Sequence, residues 1–336
     1  MFRRFLSLAS LVAVVALVTG CSAITTTSSN KSASSSGGTS LPANCKTSQP
    51  TLGVALPNTV NPYYIAMRQS FLDNGQKAGF KVNMAIANDS DSTQLSQIDS
   101  FIQQGVCAVA FNPVNSGPGA ADVAALNHAG IPVFVVNIII STATLKQQNA
   151  SIVQYVGPDQ IEGGTVMAQA VLHDLGNSSK IVAGIVGDPD QIPTNERDQG
   201  FKDYLTSHDP NAKALPTVNS QVDPNVSLQV TTDLIQGNPD MNVIFADTGP
   251  GVTGAIQAIK QLNKVGKISL YGFCAANTQL DTTLYRGCAA QEPAQYAQTM
   301  TQNIAQYIKG KKLSSQILQP VKVFSEGQKP GAGEVG

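Results

Sequence analysis

Groups able to make or break covalent bonds are sparse in this 336-residue chain, which has three histidines, five cysteines and no tryptophan. No Gly-x-Ser-x-Gly, His-Glu-x-x-His or P-loop pattern occurs, so hydrolase and metalloenzyme chemistries have no nucleophile–base pair to build on. The absence of any Cys-x-x-Cys pair likewise leaves a zinc knuckle or a thioredoxin-like centre unsupported. No catalysis, metal or cofactor is expected. Gly249-Pro250-Gly251-Val252-Thr253-Gly254 formally matches the dinucleotide fingerprint. The match falls on a late strand, however, and Pro250 removes a phosphate-facing N–H, so a tight turn is the expectation. Asp188, Asp190 and Asp247 read as solvated loop carboxylates rather than acid–base groups.

What the chain does offer is neutral hydrogen-bonding chemistry at regular places. Asn61, Tyr63, Tyr64, Asn112 and Asn137 lie in its first half, and Asn195, Thr248, Cys274 and Gln291 in its second. An amide presents one carbonyl acceptor and two N–H donors, which suits a polyhydroxylated ligand. A tyrosine ring adds an apolar face with a polar tip. For any single Asn the competing reading is a turn residue, and for either Tyr a packing residue at a helix start.

The elements that position these groups alternate. Thr51–Leu56 reads as a strand and Tyr63–Ala78 as a helix stopped by Gly79. Lys81–Ala87, Val106–Phe111 and Ile131–Val136 read as further strands, separated by helices over Ser92–Gln104 and Gly119–Ala129. The same grammar restarts after Tyr155, with strands at Lys180–Val186, Ala214–Val218, Val243–Ala246 and Ser269–Phe273. Helices are read over Gly163–Leu175, Val226–Gln236 and Val252–Asn263, with Gly200–Ser207 as part of another. Continuous apolar strands between helices predict α/β lobes, each a doubly wound parallel sheet. Ligands of such sheets bind beyond the carboxyl ends of the strands, where the polar residues above fall.

Composition bounds the partners. Charged residues are 13% of the chain, about half the ~25% of an average soluble protein. Net charge is −1, which gives no basic footprint for nucleic acid. Arg3 and Arg4, the apolar run Leu8–Val18 and Thr19-Gly20-Cys21 have the layout of a signal peptide over residues 1–20. Leu17-Val18-Thr19-Gly20-Cys21 resembles a bacterial lipobox, which implies cleavage before Cys21 and its lipidation. A Ser/Thr-rich tether over residues 21–46 would then hold the body off a membrane of the cell envelope. Four cysteines remain. Cys45–Cys107 and Cys274–Cys288 are the expected disulfides, with four buried thiols as the alternative.

A set of short motifs carries a family resemblance. Leu52-Gly53-Val54-Ala55-Leu56-Pro57 with Asn61-Pro62-Tyr63-Tyr64 resembles the opening of the periplasmic sugar-binding proteins of ABC importers, the ribose-binding type in particular. Phe111-Asn112-Pro113, Glu196-Arg197, Tyr271-Gly272-Phe273 and Ala290-Gln291-Glu292-Pro293 follow in the family's order. The resemblance implies a periplasmic-binding-protein type I fold with a three-strand hinge. Lobe one would comprise residues 47–157 plus 292–319, and lobe two residues 158–291 plus 320–330. It adds Arg197 and Asp247 to the candidate ligand residues and implies an ABC permease partner and a monomer. The departures bear on the ligand: Asn137-Ile138 stands where the family has Asp-Arg, Asn195 for an Arg, Thr248 for an Asn and Cys274 for an Asp. The usual lobe-two aromatic position falls near Val222. A pocket short of charged anchors points away from ribose, towards a smaller or less hydroxylated neutral solute such as a polyol, a deoxy-sugar or a furanosyl compound. Lactose-repressor-type regulators share this body, but a signal peptide stands where they need a helix-turn-helix. A sensor presenting a furanosyl signal to a chemoreceptor or sensor kinase remains the alternative to transport.

Overall fold

Leu52, Val54, Ala55 and Leu56 are inaccessible to solvent along β1 (Thr51–Leu56), as a strand covered by helices on both faces requires. The computed structural model describes residues 41–176 and 180–336. The expected signal peptide, the lipidation site Cys21 and most of the tether therefore lie outside the described residues. After β1 come α1 (Pro62–Lys77), β2 (Lys81–Ile86), α2 (Asp91–Gln103), β3 (Ala108–Phe111), α3 (Gly119–His128), β4 (Val133–Val136), α4 (Thr142–Gln147) and β5 (Gln154–Pro158). The second series is α5 (Gln160–Leu175), β6 (Val182–Gly187), α6 (Ile192–His208), β7 (Lys213–Asn219), α7 (Pro224–Gly237), β8 (Val243–Ala246), α8 (Gly249–Gln261), β9 (Ser269–Phe273) and β10 (Tyr285–Ala290). α9 (Pro293–Tyr307), β11 (Gln316–Gln319) and β12 (Lys322–Ser325) close the chain.

The strands form two six-stranded sheets, ordered β11-β5-β4-β3-β1-β2 and β12-β10-β9-β8-β6-β7. All pairings are parallel except β10 with β12, where Cys288 faces Phe324. Three connections therefore join the sheets, after β5, after β10 and after β11, which is the expected α/β architecture with its three-strand hinge. In the first sheet, Met67, Phe71, Tyr296 and Met300 of α1 and α9 cover one face, and Ile98, Phe101, Val123 and Leu126 of α2 and α3 the other. The second sheet is sandwiched likewise, by α7 and α8 through Leu234, Val252 and Ile259, and by α5 and α6 through Met167, Phe201 and Leu205.

Cys45 is bonded to Cys107 and Cys274 to Cys288, the two expected pairs. The first bond ties a short 3-10 turn, Ala43–Lys46, to the strand beside β1, and Asn44 Oδ1 accepts from Thr51 N–H at 2.6 Å. This turn lies ahead of Thr47, within the stretch expected as tether. Two further differences from the sequence reading matter for the site. α6 extends the helical part read at Gly200–Ser207 back to Ile192, with Pro193 in its first turn, where a missing N–H costs nothing. β10 was not legible as a strand, since Tyr-Arg-Gly-Cys-Ala-Ala lacks a β-branched run.

Candidate functional site

The carboxyl ends of both sets of strands open onto one cleft of ≈ 1000 Å³. Asn58, Val60, Asn61, Tyr64, Asp89 and Asn115 line it from the first lobe. Asp188, Asp190, Gln191, Gln221, Val222, Asp223 and Thr253 line it from the second. The lining carries four carboxylates and no Lys, Arg or His, so its field disfavours anions. At the cleft's inner end a small pocket of ≈ 30 Å³ is lined by Asn61, Tyr63, Tyr64, Asn137, Arg197, Thr248 and Gly336, among others. That is about the space one liquid water takes.

Six of the eleven candidate ligand residues meet at this inner pocket: Asn61, Tyr63, Tyr64, Asn137, Arg197 and Thr248. Two of them also build helix starts. Asn61 Oδ1 accepts from Tyr63 N–H at 3.0 Å as the N-cap of α1, and Thr248 Oγ1 accepts from Gly251 N–H at 3.1 Å as the N-cap of α8. The Tyr63 hydroxyl donates to Asn137 Oδ1 at 2.9 Å, and Tyr155 donates to the Asn137 carbonyl at 2.8 Å. Asn137 adopts φ 64°, a conformation that Asn tolerates better than most residues. Burial raises the Tyr63 hydroxyl well above its usual range, so it acts as a neutral donor. Its ring meets Tyr64 edge to face, with centroids 5.3 Å apart.

Beneath the pocket lies an enclosed polar cluster centred on Arg197, which is 4% exposed. Its Nε donates to Gln160 Oε1 at 2.7 Å and one Nη to the Asp247 carbonyl at 2.6 Å. The guanidinium carbon sits 4.0 Å from the Phe273 ring centroid. Burial lowers the Arg197 pKa, and Asp247 beside it raises it. Asp247 is inaccessible, and burial lifts its carboxyl well above the usual range. Among the described residues, the buried Gln160 Nε2, Asp247 Oδ1, Gln291 Oε1 and Tyr296 hydroxyl have no partner, nor has Asn112 Oδ1 just past β3. Each unmet group costs about 1–3 kcal/mol, a concentration of unspent hydrogen-bonding capacity at the hinge.

The other five candidates do not line the cleft. Asn195 lies in α6, not in a loop; its side chain is exposed and donates to the Pro189 carbonyl at 2.7 Å. Cys274 is fully buried and its sulfur is committed to Cys288, so it offers a ligand nothing from its side chain. Asn112 and Gln291 are fully enclosed; Asn112 Nδ2 contacts Met67 Sδ at 3.6 Å, and Gln291 Nε2 reaches Gln160 Oε1 at 3.5 Å. Asp247 belongs to the enclosed cluster. The expectation of solvated carboxylates also fails for Asp247, which is fully buried and accepts from Asp188 N–H at 3.3 Å, and for Asp188, which is 7% exposed. The Gly249–Gly254 run makes close contacts instead of a phosphate cradle. A Cβ on Gly249 would lie 2.9 Å from the Cys274 carbonyl, and one on Gly254 would collide with Pro224 and Ser227 of α7.

Gln160, Asp89, Asn115, Gln191, Gln221 and Asp223 were not singled out in the sequence. Gln160 follows the first inter-sheet connection directly, a position that marks hinge-facing side chains. Asp223 is the N-cap of α7, and an Asp-Pro pair announces such a helix start. Val222, placed where the family resemblance expects an aromatic ring, does line both cavities. It holds φ 53°, unusual for a β-branched residue and of the kind that clusters at ligand sites.

Residues 52–312 match the family described as periplasmic binding protein domain. Over 280 residues the chain is 27% identical to the ribose import binding protein of Bacillus subtilis, covering 82% of this chain and 87% of that one. It is 31% identical to the xylitol-binding protein of Mycolicibacterium smegmatis over 184 residues, 54% of this chain and 49% of the other. A solved ABC transporter solute-binding protein from Agrobacterium vitis, bound with α-D-tagatopyranose, shares the fold. Its TM-score is 0.75 at 20% identity, covering 83% of this chain and 95% of that one. With two hinged α/β sheets, a cleft at their strand ends and a match over most of its length, the chain belongs to the periplasmic binding protein family.

Proposed function

We propose that this protein is a solute-binding protein of an ABC importer that takes a small neutral sugar or polyol between its lobes. The carrying observation is the lining of the outer cleft: amides, hydroxyls and a tyrosine ring at the carboxyl ends of both sheets, with no cationic side chain among its described residues and Arg197 reached only at the small inner pocket. Lobe one comprises residues 47–157 and 292–319, and lobe two residues 158–291 and 320–330. Closure about the three connections brings Asp188, Gln191 and Thr253 towards Asn61, Tyr64 and Asn115, so that ligand hydroxyls are shared between lobes. Asn137-Ile138 lacks the charged pair of the ribose-binding type, which disfavours ribose. The relatives named above, with ribose, xylitol and tagatose in their descriptions, support this substrate class.

The closed form is what an ABC permease engages, and the protein works as a monomer lipid-anchored through Cys21 in the cell envelope. Mass spectrometry of the detergent-extracted protein should show a diacyl or triacyl adduct on Cys21, and Cys21→Ala should release the protein from membranes. Release of the unchanged parent would remove the anchor. The ligand itself is sought by thermal shift with xylitol, myo-inositol, D-allose, D-tagatose, D-fucose and ribose. A ligand at a hundred times its Kd stabilises by about 2.7 kcal/mol. A micromolar ribose affinity would overturn the ligand assignment.

A further inference from the structure

Three adjacent strands of the second sheet, β8, β9 and β10, end at the cleft, and the segment Glu334–Gly336 bonds to the backbone beyond each. Gly249 N–H, in the first turn of α8, donates to the Gly336 carbonyl at 2.8 Å. Gly336 N–H donates to the Cys274 carbonyl at 3.0 Å, just past β9. Val335 and Gln291 exchange two backbone hydrogen bonds, of 2.7 and 3.3 Å, at the hinge connection after β10. The segment also reaches the first lobe, because the Val335 side chain is 2% exposed and packs within the cluster of Tyr63, Tyr64 and Tyr296. Glu334 fastens it from outside, with Oε1 3.2 Å from Lys322 Nζ and Oε2 accepting from Gly331 N–H at 3.0 Å. Gly336 lies against Phe273, the ring over which Arg197 sits, and forms one wall of the inner pocket.

From this geometry we infer that Val335 and Gly336 are a specificity-determining part of the ligand site, a fixed wall that fills its lobe-two depth and restricts it to short solutes. The inference rests on reading the cleft as a sugar site. Strands of an open parallel sheet direct ligands to the space beyond their carboxyl ends, and here the chain's own backbone holds that space at three neighbouring strands. With the segment in place, the pocket beside Arg197 and Thr248 is ≈ 30 Å³, too small for a sugar ring. A solute therefore lies in the outer cleft and abuts the wall. Lifting the segment would break the hydrogen bonds of the Gly249 N–H and the Cys274 carbonyl together and expose the buried Val335 side chain, so it stays when ligand binds.

Two variants test this, a chain ending at Pro330 and Gly336→Ala, whose added methyl would collide with Phe273. Xylitol, D-allose and the disaccharide trehalose are titrated into each by calorimetry. The preference for the short solutes over trehalose should fall at least tenfold in the truncated chain, and in the same direction but less in Gly336→Ala. An unchanged preference would make the segment a bystander, and uniform tightening of all three would make it a displaceable plug; either result overturns the wall. Amide hydrogen exchange gives a readout without ligand. Protection of the Gly249 amide should drop at least tenfold on truncation, and retained protection contradicts the placement. If the parent binds no sugar at all, the substrate reading fails by itself, while Gly249 exchange still decides where the segment sits.

Discussion

Replacing Arg197 by methionine should destabilise the protein by about 2–4 kcal/mol, even though methionine fills similar space without charge. The guanidinium makes two charge-assisted hydrogen bonds, to Gln160 Oε1 and the Asp247 carbonyl, and lies over Phe273. Such bonds are worth about 1.5–3 kcal/mol each, and the ring contact adds up to about 2 kcal/mol when desolvated. Against this stands the relief of no longer burying a guanidinium, worth several kcal/mol. The loss prevails because removing one partner strands the other: the Asp247 carbonyl loses its only charged donor and Gln160 keeps only the 3.5 Å contact from Gln291. For a body of this size the melting temperature should fall by about 3–7 °C. Urea unfolding of Arg197→Met and Arg197→Lys provides the assay, with the lysine form intermediate because it lacks the planar fork. A methionine variant within about 0.5 kcal/mol of the parent would refute the view of Arg197 as the anchor of the hinge cluster.

Tyr63→Phe removes a buried donor to Asn137 Oδ1 and should cost about 1–3 kcal/mol in urea unfolding, with the fold unchanged by circular dichroism. Cys45→Ala/Cys107→Ala opens a bridge spanning 62 residues, worth about 4 kcal/mol by chain entropy. Cys274→Ala/Cys288→Ala opens one spanning 14, worth about 3 kcal/mol, so the first pair should lower the melting temperature more. Burial, reinforced by Asp91 and Asp99, pushes the Asp122 carboxyl up to about 7 from its ordinary value of 3.8. The folded state then holds a proton the unfolded state has released, so stability declines as pH rises from about 4 to about 7 and levels off above. Asp198, pushed up to about 6 by burial, acts in the same sense. Asp122→Asn should therefore flatten the fall in melting temperature between pH 5 and pH 8, and a slope equal to the parent's would contradict the assignment.

The sheets were readable because doubly buried strands such as Val243–Ala246 are unbroken apolar runs and glycines with positive φ, Gly79, Gly105 and Gly130, stop the helices before them. Six candidates meet at the inner pocket because strand ends and helix caps coincide in this architecture, as at Asn61 and Thr248. That coincidence also misled. Asn195 looked like a loop amide because its helix start is set by Pro193, and its side chain turns to its own loop. Cys274 carried a ligand role and a disulfide role that one sulfur cannot serve together. Gly-Ala-Gly-Glu-Val-Gly has no periodicity, so nothing local announces that Val335 is buried; only the tertiary pairing with Gln291 does so. Asp188 and Asp247 looked exposed because burial of a carboxylate depends on neighbours far away in sequence; here the fold brings the two residues together, and Asp188 N–H donates to Asp247 Oδ2 at 3.3 Å.

The central claim is that a neutral polyhydroxylated solute binds between the lobes, and isothermal titration of neutral sugars and polyols against their anionic counterparts tests it most directly. At least one neutral compound should bind with micromolar or tighter affinity and an affinity nearly independent of salt, whereas sugar phosphates and uronates are turned away by Asp89, Asp188, Asp190 and Asp223. Binding confined to charged solutes, or neutral binding that survives intact in a Tyr64→Ala, Gln191→Ala double variant spanning both walls of the cleft, would contradict the account.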